Sequence, residues 1–272
     1  MLCRGNGVTM MWDSLVGAGL EQAGRTMMGV VGAWHRGVGE DEAVELADVG
    51  GGEWSGTRGP VVLLGGLGET DPCLVPMVRF LERLGYDVTP YALRAGMGCS
   101  ERTVDSLTRR VQILSDAYGE PVSIVGHSRG GQFGRAITVR SPESVKQLVT
   151  LGTPFDMWGG ITPPMAAVAW SLAAAGSVGV PGLLRLGCLM GACCREFRGS
   201  LRGSWPAEVP FTSIYSRTDG AVPWRSSHDP AARNVVVRGG HVSLLCSAAA
   251  QRAVASALAG QKLPAGADVV AA

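Results

Sequence analysis

The chain has 272 residues, with 24 basic against 23 acidic side chains and a net charge of +1. That near-balance excludes the basic stripe of a nucleic-acid binder, so no nucleic-acid partner is expected. A hydrophobic share of 46% supports one large core, and the length reads as one domain with room for an insert rather than as two domains.

The seven cysteines, an odd number at irregular spacing, do not form a secreted disulfide framework, and a core-rich chain has little need of one. The N-terminus lacks a compact apolar run followed by a small-residue cleavage site. Together these predict a cytoplasmic protein.

Residues 1–58 read as an N-terminal helical and linker extension, with an interrupted helical pattern over Trp12 to Val38 and a glycine-rich stretch before Pro60. Val61 to Leu64 is a short apolar run ended by glycines, the pattern of a buried parallel strand. Asp71-Pro72 starts a helix, with Leu74, Met77, Val78, Leu81 and Leu84 at helical spacing and Gly85 closing it. Tyr86 to Tyr91 reads as a strand, Val104 to Tyr118 as a helix and Pro121 to Val125 as a strand. Gly130 to Arg140 returns to helix, and Gln147 to Leu151 to strand. The rhythm lapses from Phe155 to about Trp205. It resumes with strands at Phe211 to Tyr215 and Asn234 to Val237 and a closing helix around Arg252 to Leu258, before a C-terminal tail over 261–272. Strands alternating with helices predict an α/β fold with a doubly wound, mostly parallel sheet, over 59–260, interrupted by an apolar helical insert at about 155–205.

The segment Val122-Ser123-Ile124-Val125-Gly126-His127-Ser128-Arg129-Gly130-Gly131 places G-x-S-x-G between an apolar strand and a helical pattern. In that context the motif has a mechanical meaning. The serine occupies a strained strand-to-helix turn, glycines let the helix pass close to the strand, and Oγ projects near the positive helix end. Ser128 is therefore the candidate nucleophile, in need of a base. His241, in a glycine loop after the strand ending near Val237, and His228, in a polar turn, are candidates; His35 precedes the sheet, and the His127 side chain should point away from the Ser128 hydroxyl. The orienting acid is sought among Asp219, just past a strand and before a turn glycine, Asp229 and Asp156.

Over residues 60 to 258 the chain resembles the α/β-hydrolase superfamily, in particular bacterial lipase- and esterase-like serine hydrolases with a GHSxGG elbow. The resemblance implies the chain order nucleophile, acid, histidine, and selects Ser128, Asp219 and His241 as the triad. It implies an oxyanion hole from the backbone N–H of Arg129 and that of Leu67, in the Gly65-Gly66-Leu67-Gly68 turn, although the usual His-Gly or Pro-Gly there is Gly65-Gly66. It also implies a cap at the insert, and neither cofactor nor metal.

Between Asp156 and Arg185 the chain carries no charge, and its apolar residues are broken by Pro163-Pro164 and Gly179 to Gly182. This reads as a lid over an acyl pocket, with a small-molecule ester or lipid as substrate and a transient lipid-surface contact through the cap; a buried helical hairpin competes, and so does a transmembrane helix, which the glycines and prolines disfavour. Cys188, Cys193 and Cys194 form C-x4-C-C, where adjacent cysteines without a nearby histidine favour ordinary packing over a disulfide or zinc. The expected activity is carboxylic ester hydrolysis through an acyl-enzyme. Acyl transfer on the same triad and a non-catalytic ligand-binding homologue are the alternatives, and the oligomeric state is left open.

Overall fold

The computed structural model describes residues 58–92, 96–156 and 160–261, together with the backbone of 269–271. The predicted N-terminal extension, and His35 with it, lies outside the described residues apart from its last residue.

Strand β1 (Pro60–Leu64) is buried along its whole length, and its proline stands at the first position, where a missing N–H costs least. Helix α1 (Asp71–Arg83) buries Leu74, Met77, Phe80 and Leu81 on one face. Strand β2 (Asp87–Tyr91) is partly exposed and tolerates Pro90 because it lies at the sheet edge. Helix α2 (Ser100–Tyr118) ends at Gly119, whose φ of 68° is the left-handed turn that terminates helices. Then follow β3 (Val122–His127), α3 (Arg129–Arg140) and β4 (Val145–Leu151). The insert supplies α4 (Pro163–Ser177), the single turn α5 (Leu186–Leu189) and α6 (Arg195–Arg202). The last part holds β5 (Phe211–Ser216), the turn α7 (Trp224–Ser227), β6 (Arg233–Val237), α8 (Ala248–Leu258) and β7 (Val269–Ala271).

The strands form one sheet in the order β2-β1-β3-β4-β5-β6-β7. The first six strands are parallel, as the alternating pattern predicts, and β7 pairs antiparallel with β6. This edge strand lies where the sequence predicts only a tail: three residues are too few for a period-2 pattern to register.

Side chains alternate across the sheet and so build two cores. Val61, Leu63, Val125 and Val149 face α1 and α8, whereas Val62, Leu64, Ile124 and Leu148 face α2 and α3. The insert joins the second core through Val168, Leu172, Cys194, Phe197 and Leu201. Its apolar run is therefore spent largely on packing, and no helix of the described residues is long and apolar enough to cross a membrane. The order reverses direction between β1 and β3, and a crevice opens beyond the carboxyl ends of strands at such a switch point. The Gly65 turn and Ser128 leave the sheet at those two ends.

Candidate active site

Ser128 connects β3 to α3 with φ 51° and ψ −122°, and among the described residues it alone, of those other than glycine, has positive φ. The strain is held by a hydrogen bond from its N–H to the Leu151 carbonyl at 2.8 Å and one from the Gly131 N–H to its own carbonyl at 3.1 Å. A side chain at Gly126 would put its Cβ 2.5 Å from the Cα of Gly131, which is why the strand-to-helix crossing needs glycine on both sides.

Asp219 follows β5 and is fixed by two backbone donors: the N–H groups of Ala221 and Val222 reach its Oδ1 at 2.8 and 2.9 Å. Its Oδ2 lies 2.7 Å from Nδ1 of His241, which stands in the loop after β6 and is 7% exposed. Burial pushes the Asp219 carboxyl up, but the His241 hydrogen bond and charge, with the two N–H donors, outweigh it and hold the group below the usual carboxylate range. Since the carboxylate only accepts, Nδ1 carries the proton and Nε2 is the basic nitrogen.

The rival residues are engaged elsewhere. Asp229 is ion-paired with Arg135 at 2.8 Å, under a guanidinium that also faces the rings of Phe155, Trp205 and Phe211. His228 is exposed, and Asp156 pairs with Arg202 at 3.1 Å.

Ser128 and His241 line one cavity of about 80 Å³ with Leu67 and Arg129. Its remaining wall is mostly apolar and comes in part from the insert: Ile161, Met165 and Ala169 from and before α4, and Leu189 from α5. Neither the N–H of Leu67 nor that of Arg129 has a hydrogen-bond partner among the described residues. The Gly65-Gly66 turn passes so close that a Cβ on Gly66 would lie 2.8 Å from the Cβ of Ser128.

Sequence reasoning missed what lies beneath. Glu69 accepts the Gly66 N–H at 2.6 Å and pairs with Nδ1 of buried His127, whose Nε2 donates to the His241 carbonyl at 2.9 Å. Burial alone would push His127 down, but Glu69 outweighs it and its pKa is raised; burial would push Glu69 up, but His127 and Gly66 hold it low. Nothing marks Glu69 in the sequence, because its partner is 58 residues away.

No family model matches the sequence. Over 85 residues it is 33% identical to phosphatidylcholine-sterol acyltransferase of Papio anubis, a match covering 29% of this chain and 19% of that protein. Among solved structures, the propeptide form of Bacillus licheniformis lipase BlEst2 superposes with a TM-score of 0.59 at 16% identity, covering 84% of this chain and 54% of that one. Monoacylglycerol lipase of Paleococcus ferrophilus gives 0.55 at 16% identity, covering 76% and 97%. These likenesses and the parallel sheet establish the α/β-hydrolase fold.

Proposed function

We propose that the protein is a serine hydrolase acting on carboxylic esters of lipophilic acids. The observation that carries this reading is the His241–Asp219 pair opening, with strained Ser128, onto one apolar-walled cavity. In the proposed cycle Ser128 Oγ attacks the ester carbonyl as its proton passes to His241 Nε2, and the Leu67 and Arg129 N–H groups receive the oxyanion. The imidazolium returns its proton to the leaving alcohol, and water, deprotonated by the same nitrogen, releases the acid from Ser128. Asp219 holds the tautomer throughout. The insert acts as a cap whose apolar residues bind the acyl chain, and Trp170, 40% exposed on α4, is a surface for transient lipid contact. No cofactor is required by this chemistry.

A second reading, transfer of the acyl group to an alcohol acceptor in place of water, is supported by the partial likeness to an acyltransferase. Fluorophosphonate labelling with peptide mapping tests the shared first half: modification confined to Ser128 is expected, and folded protein that refuses the probe would sink the proposal. Product analysis with an added sterol or alcohol then separates hydrolysis from transfer.

A further inference from the structure

The structure adds a fourth cysteine to the C-x4-C-C pattern. Cys99, the N-cap of α2, meets Cys188 of α5 and Cys193 and Cys194 of the turn before α6, although 94 residues separate Cys99 from Cys193. All four sulfurs lie within 4.8 Å of one another. Individual separations are 3.5 Å for Cys99–Cys193, 3.6 Å for Cys99–Cys194, 3.9 Å for Cys188–Cys193 and 4.0 Å for Cys193–Cys194. A tetrahedron with Zn–S bonds of about 2.3 Å has sulfur–sulfur edges of about 3.8 Å. A disulfide brings two sulfurs to about 2.05 Å and leaves any others aside, whereas here none of these separations is under 3.5 Å and all four sulfurs gather within 4.8 Å.

We propose that Cys99, Cys188, Cys193 and Cys194 bind one zinc ion as a tetrahedral tetrathiolate site that fastens the insert to the hydrolase core beside the nucleophile turn.

Three features outside the four sulfurs fit a thiolate centre. Backbone N–H groups point at the sulfurs: Arg185 N–H reaches Cys188 Sγ at 3.4 Å, and those of Arg102 and Glu101 bond Cys99 and Cys194. Such outer partners orient and stabilise thiolate ligands. The charge also balances. Zinc and four thiols give a complex of net charge −2 with release of four protons, and the adjacent Arg129, which has no carboxylate partner among the described residues, stands close enough to Cys194, Cys188 and Cys99 to offset it. Its Nη2 donates to Ser100 Oγ at 2.8 Å, and its Nε is buried without a hydrogen-bond partner. Third, exposed Cys193, half-buried Cys99 and buried Cys188 border a groove of about 1110 Å³, which is a path for the ion. The junction is cross-tied again where Glu101 of α2 accepts the Phe197 N–H of α6 at 2.9 Å.

The test is elemental analysis of full-length protein purified without chelator, with each variant's fold checked by circular dichroism. About one equivalent of zinc per chain is expected in wild type and in Ser128→Ala, so the result is independent of the hydrolase reading. Cys193→Ser, at the exposed ligand, should weaken zinc retention against a chromophoric chelator by at least the roughly 10–100-fold that loss of an outer partner costs. Cys246→Ser, outside the cluster, should retain the metal. Cobalt substitution should give intense sulfur-to-metal charge-transfer bands. Folded wild type that neither contains zinc nor takes it up would overturn the site. So would zinc that Cys193→Ser leaves undisturbed, or an intact mass showing these thiols oxidised to disulfides.

Discussion

The ring of His127 sits 4.7 Å from that of His241, centroid to centroid, and donates from Nε2 to the backbone carbonyl of the same His241 at 2.9 Å. Its other nitrogen meets Glu69, so both ring nitrogens face acceptors and the doubly protonated ring is the form that satisfies them. Through Glu69 this one histidine joins three loops: the Gly66 turn, the nucleophile turn that carries it, and the loop of the proposed base. None of these side chains has to touch substrate to set the spacing of those that do.

This buried pair should be visible as a pH-dependent stability. Glu69 titrates below its ordinary value of 4.5 in the folded protein, so its contribution is present above that value and lost as the pH falls through the lowered one. His127 titrates above its ordinary 6.5, so its contribution is complete below 6.5 and lost as the pH rises through the raised one. The stabilisation is therefore fullest between those ordinary values and declines on both sides. Glu69→Gln should cost about 3 kcal/mol in that window, as removal of one partner from a buried ion pair does. The difference between variant and wild-type unfolding free energies should shrink toward either extreme; a difference that is flat with pH would exclude the ion pair.

Ser128 should trade stability against turnover. A residue other than glycine in this backbone region costs about 1–3 kcal/mol, and glycine recovers that at about 0.5–1 kcal/mol of added chain entropy. Ser128→Gly is expected to raise Tm by about 2–4 °C, measured by calorimetry. Ser128→Ala is expected to lower kcat by about 10⁶ with little change in Tm. An alanine variant within tenfold of wild type on any ester would remove Ser128 from the mechanism.

What the sequence reveals and what it hides divide along contact distance. β1 and β3 are legible because both faces are covered and the apolar runs are continuous, and Ser128 is legible because glycines must flank a strained turn. Strand ends and turn glycines mark Asp219 and His241, 22 residues apart, as candidates beside Asp229, Asp156 and His228, and the resemblance is what selects them. Glu69 and Cys99 are not, because their importance lies in partners 58 and 94 residues away that no local period encodes. The insert is legible as an apolar helical stretch, but its orientation is not: α4 is apolar almost all round, so its inward face cannot be separated from its outward one by pattern alone.

The two N–H groups on Asp219 decide what an amide does there. In Asp219→Asn the oxygen stays toward Ala221 and Val222, which only donate, so the NH2 group must face Nδ1 of His241. The imidazole is then forced to accept at Nδ1 and to carry its proton on Nε2, where it cannot take one from Ser128. Turnover should fall by about 10⁴ while the fold is retained. Steady-state kinetics beside a thermal melt would decide this, and a loss below tenfold would mean that Asp219 does not set the tautomer.

The insert's role is open to a substrate ladder. Burial of each methylene is worth about 0.8 kcal/mol, or about fourfold in kcat/KM, as long as the pocket still has apolar wall to offer. With a cavity of about 80 Å³ walled by Met165, Ala169 and Leu189, kcat/KM on p-nitrophenyl esters should climb over the first few methylenes and then level off. Ala169→Val fills part of that space from α4 and leaves Ser128, Asp219 and His241 unsubstituted. It should move the break in the series to a shorter chain and leave the acetate ester within about threefold of wild type. If the whole series fell in parallel, the substitution would have disturbed the catalytic groups rather than the acyl wall. An unchanged break would mean that the acyl chain lies elsewhere and that α4 serves packing alone.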